Sequence, residues 1–244
     1  MRLDEDPFFR PPRWFQPMDR NRVVTVYRRH LPHWRQEGGF YFVTFRLADA
    51  LPPTVIRELR GLRDEIGRRR VGVAEGAEGP TGNVQELTDR LYWLTEDAMD
   101  GCYGACPFRE VAARDELCDV LKFHHPESCR VCCFSVMPNH VHALLQPLPN
   151  VELEVVLRSI KGYSSRRLNS RLGRTGGNWA EESYDRLIRD AEHLMRVFRY
   201  IVGNGAKAGL GADAYEVWIC PEWEAEGWTR DVVAASGWAE GVVR

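Results

Sequence analysis

The sequence predicts an α+β protein, and three observations predict it. The run Phe40-Tyr41-Phe42-Val43-Thr44-Phe45-Arg46-Leu47 is almost wholly aromatic or β-branched and is bounded by Gly38-Gly39 and Pro52-Pro53, as a buried strand is. Residues 130–137 and 140–146 are two apolar runs around the break Pro138-Asn139, which reads as a strand, a tight turn and a partner strand. Around these, apolar residues recur at helical spacing: Val55, Leu59, Leu62 and Ile66, then Leu153, Val156, Leu157, Ile160 and Tyr163, then Leu194, Val197, Phe198 and Ile201.

In chain order, residues 1–39 form an arm in which Pro7, Pro11, Pro12 and Pro17 forbid a long helix. Its aromatics, Phe8, Phe9, Trp14 and Phe15, alternate with arginines, a pattern that suits packing along a body or stacking on bases. After the first strand a helix is expected over 54–69 with Thr54 as its cap, then a flexible loop over 72–82. Two further helices, 84–100 and 109–124, pack outside or belong to an insertion spanning about 71–124. The hairpin follows, then a helix over 152–172 whose inward stripe includes both Tyr163, taken as a packing residue, and Ser164. Its other face shows Arg158, Lys161, Arg166 and Arg167. A glycine-rich basic loop leads to a last helix starting near Asp190, and the tail 211–244, acidic and rich in tryptophan, is expected to pack back on the body.

The 244 residues, 44% apolar and 28% charged, suffice for a core domain with appended arms. A net charge of -2 excludes a uniformly basic nucleic-acid coat, so any such surface is local. No apolar run approaches the ~20 residues of a bilayer span, and the acidic start lacks the charge of a signal peptide, so a cytoplasmic protein without membrane contact is expected. Seven cysteines at irregular spacing do not make a disulfide framework. Cys102, Cys106, Cys129 and Cys132 with His124 and His125 make a poor zinc cluster, because only the second pair has common spacing.

Two places carry chemistry. His140 and His142 alternate along one strand, so both imidazoles leave the same face and form half of a metal site; two surface histidines would give the same pattern. Tyr200 lies about a third of a turn off the apolar stripe of its helix, with Asn204 one turn further on, so a phenol and an amide oxygen leave one face together. A boundary tyrosine with its hydroxyl in water is the plainer account of that placement.

Five stretches in order now resemble one family. They are residues 33–47, then Val136-Met137-Pro138-Asn139-His140-Val141-His142, then Ser159-Ile160-Lys161-Gly162-Tyr163, then Asp185-Arg186-Leu187-Ile188-Arg189-Asp190, and finally Tyr200-Ile201-Val202-Gly203-Asn204 with Lys207-Ala208-Gly209-Leu210. Together they look like the REP-associated tyrosine transposases, of the single-tyrosine branch of the HUH endonuclease superfamily. The resemblance implies a ferredoxin-like antiparallel sheet with helices on one face, in a transposase domain of residues 40–210. It implies His140 and His142 as metal ligands, Tyr200 as nucleophile and Asn204 as the residue completing the metal shell. Relatives usually continue Asn-Pro, where this chain has Gly205.

The activity implied is metal-dependent cleavage and rejoining of single-stranded DNA at hairpins such as REP-like repeats, through a 5'-phosphotyrosine and without a nucleotide cofactor. Two histidines and an oxygen ligand suit magnesium or manganese. Lys161, Arg166, Arg167 and Arg35 are the candidates for holding DNA phosphates. A monomer and a homodimer both fit. The alternatives are a DNA-hairpin-binding protein that has lost turnover, and a metal phosphodiesterase using water, for which Tyr200 is dispensable.

Overall fold

A computed structural model describes residues 10–19, 21–22, 25–28, 32–74 and 81–231. Its strands are β1 (Thr25–Arg28), β2 (Pro32–Arg35), β3 (Tyr41–Arg46), β4 (Cys129–Val136), β5 (His140–Pro147), β6 (Tyr184–Leu187) and β7 (Glu216–Ile219). Its helices are α1 (Pro53–Ala74), α2 (Thr81–Asp100), α3 (Val111–Lys122), α4 (Leu153–Leu172), α5 (Ala191–Lys207) and α6 (Pro221–Ala225).

Five strands form one sheet in the order β6-β3-β5-β4-β7, with every neighbouring pair antiparallel. Without β7 this is the ferredoxin-like order: two βαβ crossovers interleave so that the first and third strands lie at the centre. β1 and β2 pair separately as a ribbon. The expected α+β class and antiparallel sheet are present, but helices cover both faces. Strand alternation sends Tyr41, Val43, Phe45, Val141, Ala143 and Leu145 towards α3 and α4, and Phe42 and Leu144 towards α5. A sheet apolar on both sides must be covered on both sides.

α1 and α2 pack as a hairpin around a small core of their own, with Leu59, Leu62, Ile66, Leu91 and Met99 buried between them. α3 is the crossover helix proper, burying Leu117 and Leu121 against the sheet. The loop expected over 72–82 is shorter, since α1 runs to Ala74 and α2 starts at Thr81; residues 75–80 lie outside the described residues. Tyr163 is not a packing residue: its side is 48% exposed, and the next residue, Ser164, faces the core instead and accepts a 2.9 Å bond from Trp179 Nε1. Tyr184 opens β6, its ring centroid 4.6 Å from that of Tyr92.

Beyond α5 the chain adds β7 to the β4 edge and buries Trp223 and Trp228, while Trp14 and Phe15 of the arm pack on the same cluster. Trp238 lies outside the described residues. Among the described residues no helix is long and apolar enough to cross a membrane. All seven cysteines are free thiols, buried except for Cys102.

Candidate active site

β5 presents His140 and His142 towards α5, both fully buried. The register sets Thr44 opposite His142 and Arg46 opposite His140 on β3. The Thr44 hydroxyl lies 2.8 Å from His142 Nδ1, and Asn139 Oδ1 lies 2.7 Å from His140 Nδ1. The Asn139 amide is oriented by its own Nδ2, which donates to the Tyr103 carbonyl at 2.9 Å. With an amide oxygen as its partner, His140 carries its proton on Nδ1 and turns a lone pair outward at Nε2. A hydroxyl can donate or accept, so Thr44 serves either tautomer of His142. The two Nε2 atoms are 3.0 Å apart. Burial pushes the His140 pKa down to about 3, and burial followed by the neighbouring imidazole holds His142 well below the usual histidine range. Both rings are therefore neutral, the form that binds metals.

α5 brings the other half. Asp190 caps it by accepting from the His193 amide at 2.7 Å, and Leu194, Val197, Phe198 and Ile201 seat it on the sheet. That seating buries Tyr200 to 2% exposure, so it is not the boundary tyrosine its helical angle allows. Its ring meets the edge of Phe42 at 5.7 Å and that of His142 at 5.1 Å. Its hydroxyl donates to Glu96 of α2, a residue itself 2% exposed whose Oε2 lies 3.6 Å from His142 Nε2. One turn further along both helices, Asp100 accepts from Asn204 Nδ2 at 3.3 Å and from Lys207 Nζ at 3.0 Å. Lys207 also sits 5.3 Å from the Tyr200 ring centroid. Burial pushes the Glu96 carboxyl up to about 8. Burial, followed by the Glu96 charge, holds the Tyr200 phenol well above its usual value, so it is not a pre-ionised nucleophile.

The reach of Lys207 depends on α5 continuing past Asn204. Gly205 permits this, and the Tyr215 ring packs against it so closely that a Cβ there would fall 2.3 Å from a ring carbon. Gly205→Ala is accordingly expected to destabilise by about 1–3 kcal/mol through overpacking, despite alanine's better helix propensity. Thermal unfolding checks this, and an unchanged or higher midpoint would show that Tyr215 yields freely.

A divalent metal fits this donor set. The two Nε2 atoms converge at a separation compatible with adjacent ligands at about 2.0–2.1 Å from one ion. Asn204 Oδ1 is buried with no hydrogen-bond partner, an unusual state for an amide oxygen and one that a cation would relieve. Among the described residues no three His, Cys, Asp or Glu side chains group as a metal site.

The basic candidates are placed differently from one another. Arg35 is tied to Glu154 at 2.8 Å and Asp185 at 2.5 Å; burial would lower its pKa, but these carboxylates raise it above the ordinary value. Its charge is answered within the protein. Arg167 pairs with Glu116 at 2.7 Å. Lys161 donates to the Ala180 carbonyl at 3.0 Å. Arg166 is exposed and lies 5.5 Å from the exposed Tyr163 ring, presenting a cation and an aromatic together. Sequence reasoning missed Glu96, Asp100, Thr44 and Lys207. A signal existed for the first two: Glu96 and Asp100 are four apart, as are Tyr200 and Asn204, so two helices crossing here match turn for turn.

Residues 114–204 match a family model described as "Transposase IS200 like". The matched span holds both histidines, Tyr200 and Asn204, and stops short of Lys207; Arg35, Arg46, Glu96 and Asp100 lie before it. The chain is similar to a solved structure of a REP-associated tyrosine transposase bound to a REP hairpin, at 15% identity and a TM-score of 0.38, over 77% of this chain and 76% of that one. No curated protein matches it.

Proposed function

We propose, from the premise that segment 114–204 is that of an IS200-like transposase, that this chain cleaves and rejoins single-stranded DNA beside a hairpin by transesterification through Tyr200. The observation that carries the reading is the meeting of Tyr200 with two neutral histidines whose Nε2 atoms converge at 3.0 Å. Binding DNA requires none of these three side chains, which favours an enzyme over a retired binding protein. A water-using phosphodiesterase would not need a buried phenol at the histidines.

His140, His142 and Asn204 would hold a divalent metal, magnesium or manganese, which supplies positive charge to a non-bridging phosphate oxygen. Thr44 and Asn139 orient the two rings by their Nδ1 bonds, so little freedom remains to be lost on binding. The Tyr200 oxygen attacks phosphorus and its proton passes to the carboxylate form of Glu96, its hydrogen-bond acceptor, a form that becomes the majority only above about pH 8. The P–O3' bond breaks, and the departing oxygen takes a proton to become a 3'-hydroxyl. The 5'-phosphotyrosine left behind keeps the phosphodiester energy, so attack by a 3'-hydroxyl rejoins the strand without ATP. Arg166 and Lys161 remain the candidates for positioning the DNA backbone, with the arm available for reading a guide sequence.

The test is incubation with end-labelled hairpin DNA from the gene's own surroundings, with manganese or magnesium, followed by denaturing electrophoresis. A denaturant-resistant adduct, lost in Tyr200→Phe and with chelator, is expected. Cleavage without an adduct and indifferent to Tyr200→Phe would replace the reading with the phosphodiesterase.

A further inference from the structure

A cavity of about 250 Å³ lies between the α1–α2 hairpin and the β3–β6 side of the sheet. Thr44 and Glu96 line it, and each is one hydrogen bond from the site, through His142 and Tyr200 respectively. The histidines and Tyr200 are buried, and this cavity reaches residues one hydrogen bond from them. Its lining also holds Arg46 and Arg63. Arg46 shares the histidine face of the sheet, directly across from His140, and Arg63 reaches in from α1.

Neither arginine is ion-paired among the described residues. Arg46 donates only to the carbonyl of its neighbour Leu47, and the buried Arg63 Nε has no hydrogen-bond partner. Burial, then the charge of Arg63, pulls the Arg46 pKa below its ordinary value, as two like charges left uncompensated require. Glu181 and Glu182 also line the cavity and oppose an anion. Two half-buried guanidiniums with no salt bridge to either among the described residues form a seat for an anionic oxygen group, and guanidinium forks match phosphate.

We propose that Arg46 and Arg63 hold the backbone phosphate next to the scissile one and that the strand reaches Tyr200 through this cavity. The inference rests on the transesterase reading for the identity of the strand, and it adds a role for the α1–α2 hairpin, whose residues lie outside the family match. The cavity is too small for a duplex, so the seat selects a single strand.

The test uses fluorescein-labelled hairpin DNA carrying a neutral methylphosphonate at one linkage at a time, with binding read by fluorescence anisotropy in the Tyr200→Phe background, where no chemistry intervenes. One neutral linkage adjacent to the cleavage position should weaken binding about tenfold, the loss of a charged hydrogen-bonded contact. Arg46→Gln and Arg63→Gln should each weaken binding of the natural strand similarly, and in either variant the neutral linkage should cost little more. Arg63 belongs to the α1–α2 hairpin and not to the central sheet, so its variant remains informative if Arg46→Gln fails to fold, which circular dichroism would show. Unchanged affinity in the Arg63 variant, or penalties that simply add, would overturn the seat. An adduct formed by the wild type with no coupling at these arginines would sink the seat alone. Coupling without any adduct would keep the seat and remove the transesterase.

Discussion

Glu96→Gln is expected to slow adduct formation by about 10²–10⁴-fold while leaving hairpin affinity within a factor of a few. The substitution keeps the volume and the hydrogen bond to Tyr200 and removes only the capacity to take a proton. That capacity matters because burial and a nearby carboxylate hold the phenol above its ordinary pKa of about 10, so attack at neutral pH needs an acceptor in place. The same change works in the opposite sense by removing the charge that raises the phenol. Loss of the acceptor should dominate, since no other carboxylate, imidazole or amine is recorded bonded to the Tyr200 hydroxyl among the described residues. Single-turnover adduct kinetics beside anisotropy separates the cases. A faster Glu96→Gln enzyme would make the carboxylate a brake on Tyr200, and a parallel loss of affinity would make it a structural contact. Partial recovery of rate in Glu96→Asp would support proton transfer over packing.

Much of this site was legible because its parts are periodic. His140 and His142 are two apart on a strand and Tyr200 and Asn204 four apart on a helix, so local geometry alone places each pair on one face. What periodicity cannot show is which surfaces meet. Glu96 and Asp100 come from a helical hairpin about a hundred residues before Tyr200, and their spacing of four puts them on one face of α2 without telling which surface that face meets. The same limit hid β6 and β7: four-residue strands such as Tyr184–Leu187 and Glu216–Ile219 carry too few alternations to stand out, and pairing with β3 and β4 determines them. Tyr163 erred in the other direction. It lies at the edge of a true apolar stripe, where a rotation of a few tens of degrees decides between core and solvent, and Ser164 took the inward place because Trp179 needed an acceptor. Arg35 looked like a free cation because its carboxylate partners, Glu154 and Asp185, are more than a hundred residues away.

Trp223→Ala is expected to cost about 3–5 kcal/mol, the range for a fully buried large aromatic, and to lower the unfolding midpoint by roughly 6–20 °C for a chain of this size. Trp223 is wholly buried, with the rings of Trp228 at 4.9 Å, Trp14 at 5.8 Å and Phe198 at 6.1 Å. It joins three parts of the chain: the arm through Trp14, α5 through Phe198, and the segment after β7. Phe198 is two residues from Tyr200, so the cluster braces the outer side of the helix that carries the nucleophile. The indole Nε1 of Trp223 is buried without a partner, so the residue contributes through volume and contact, not through a hydrogen bond. Trp223→Phe should therefore cost much less than Trp223→Ala. Equal losses in the two variants would mean that the N–H matters, and a negligible loss for Trp223→Ala would mean that the C-terminal segment is not an integral part of the fold. If the brace acts as its position implies, Trp223→Ala at a temperature where it remains folded should also slow adduct formation, because α5 would hold Tyr200 less firmly against His142.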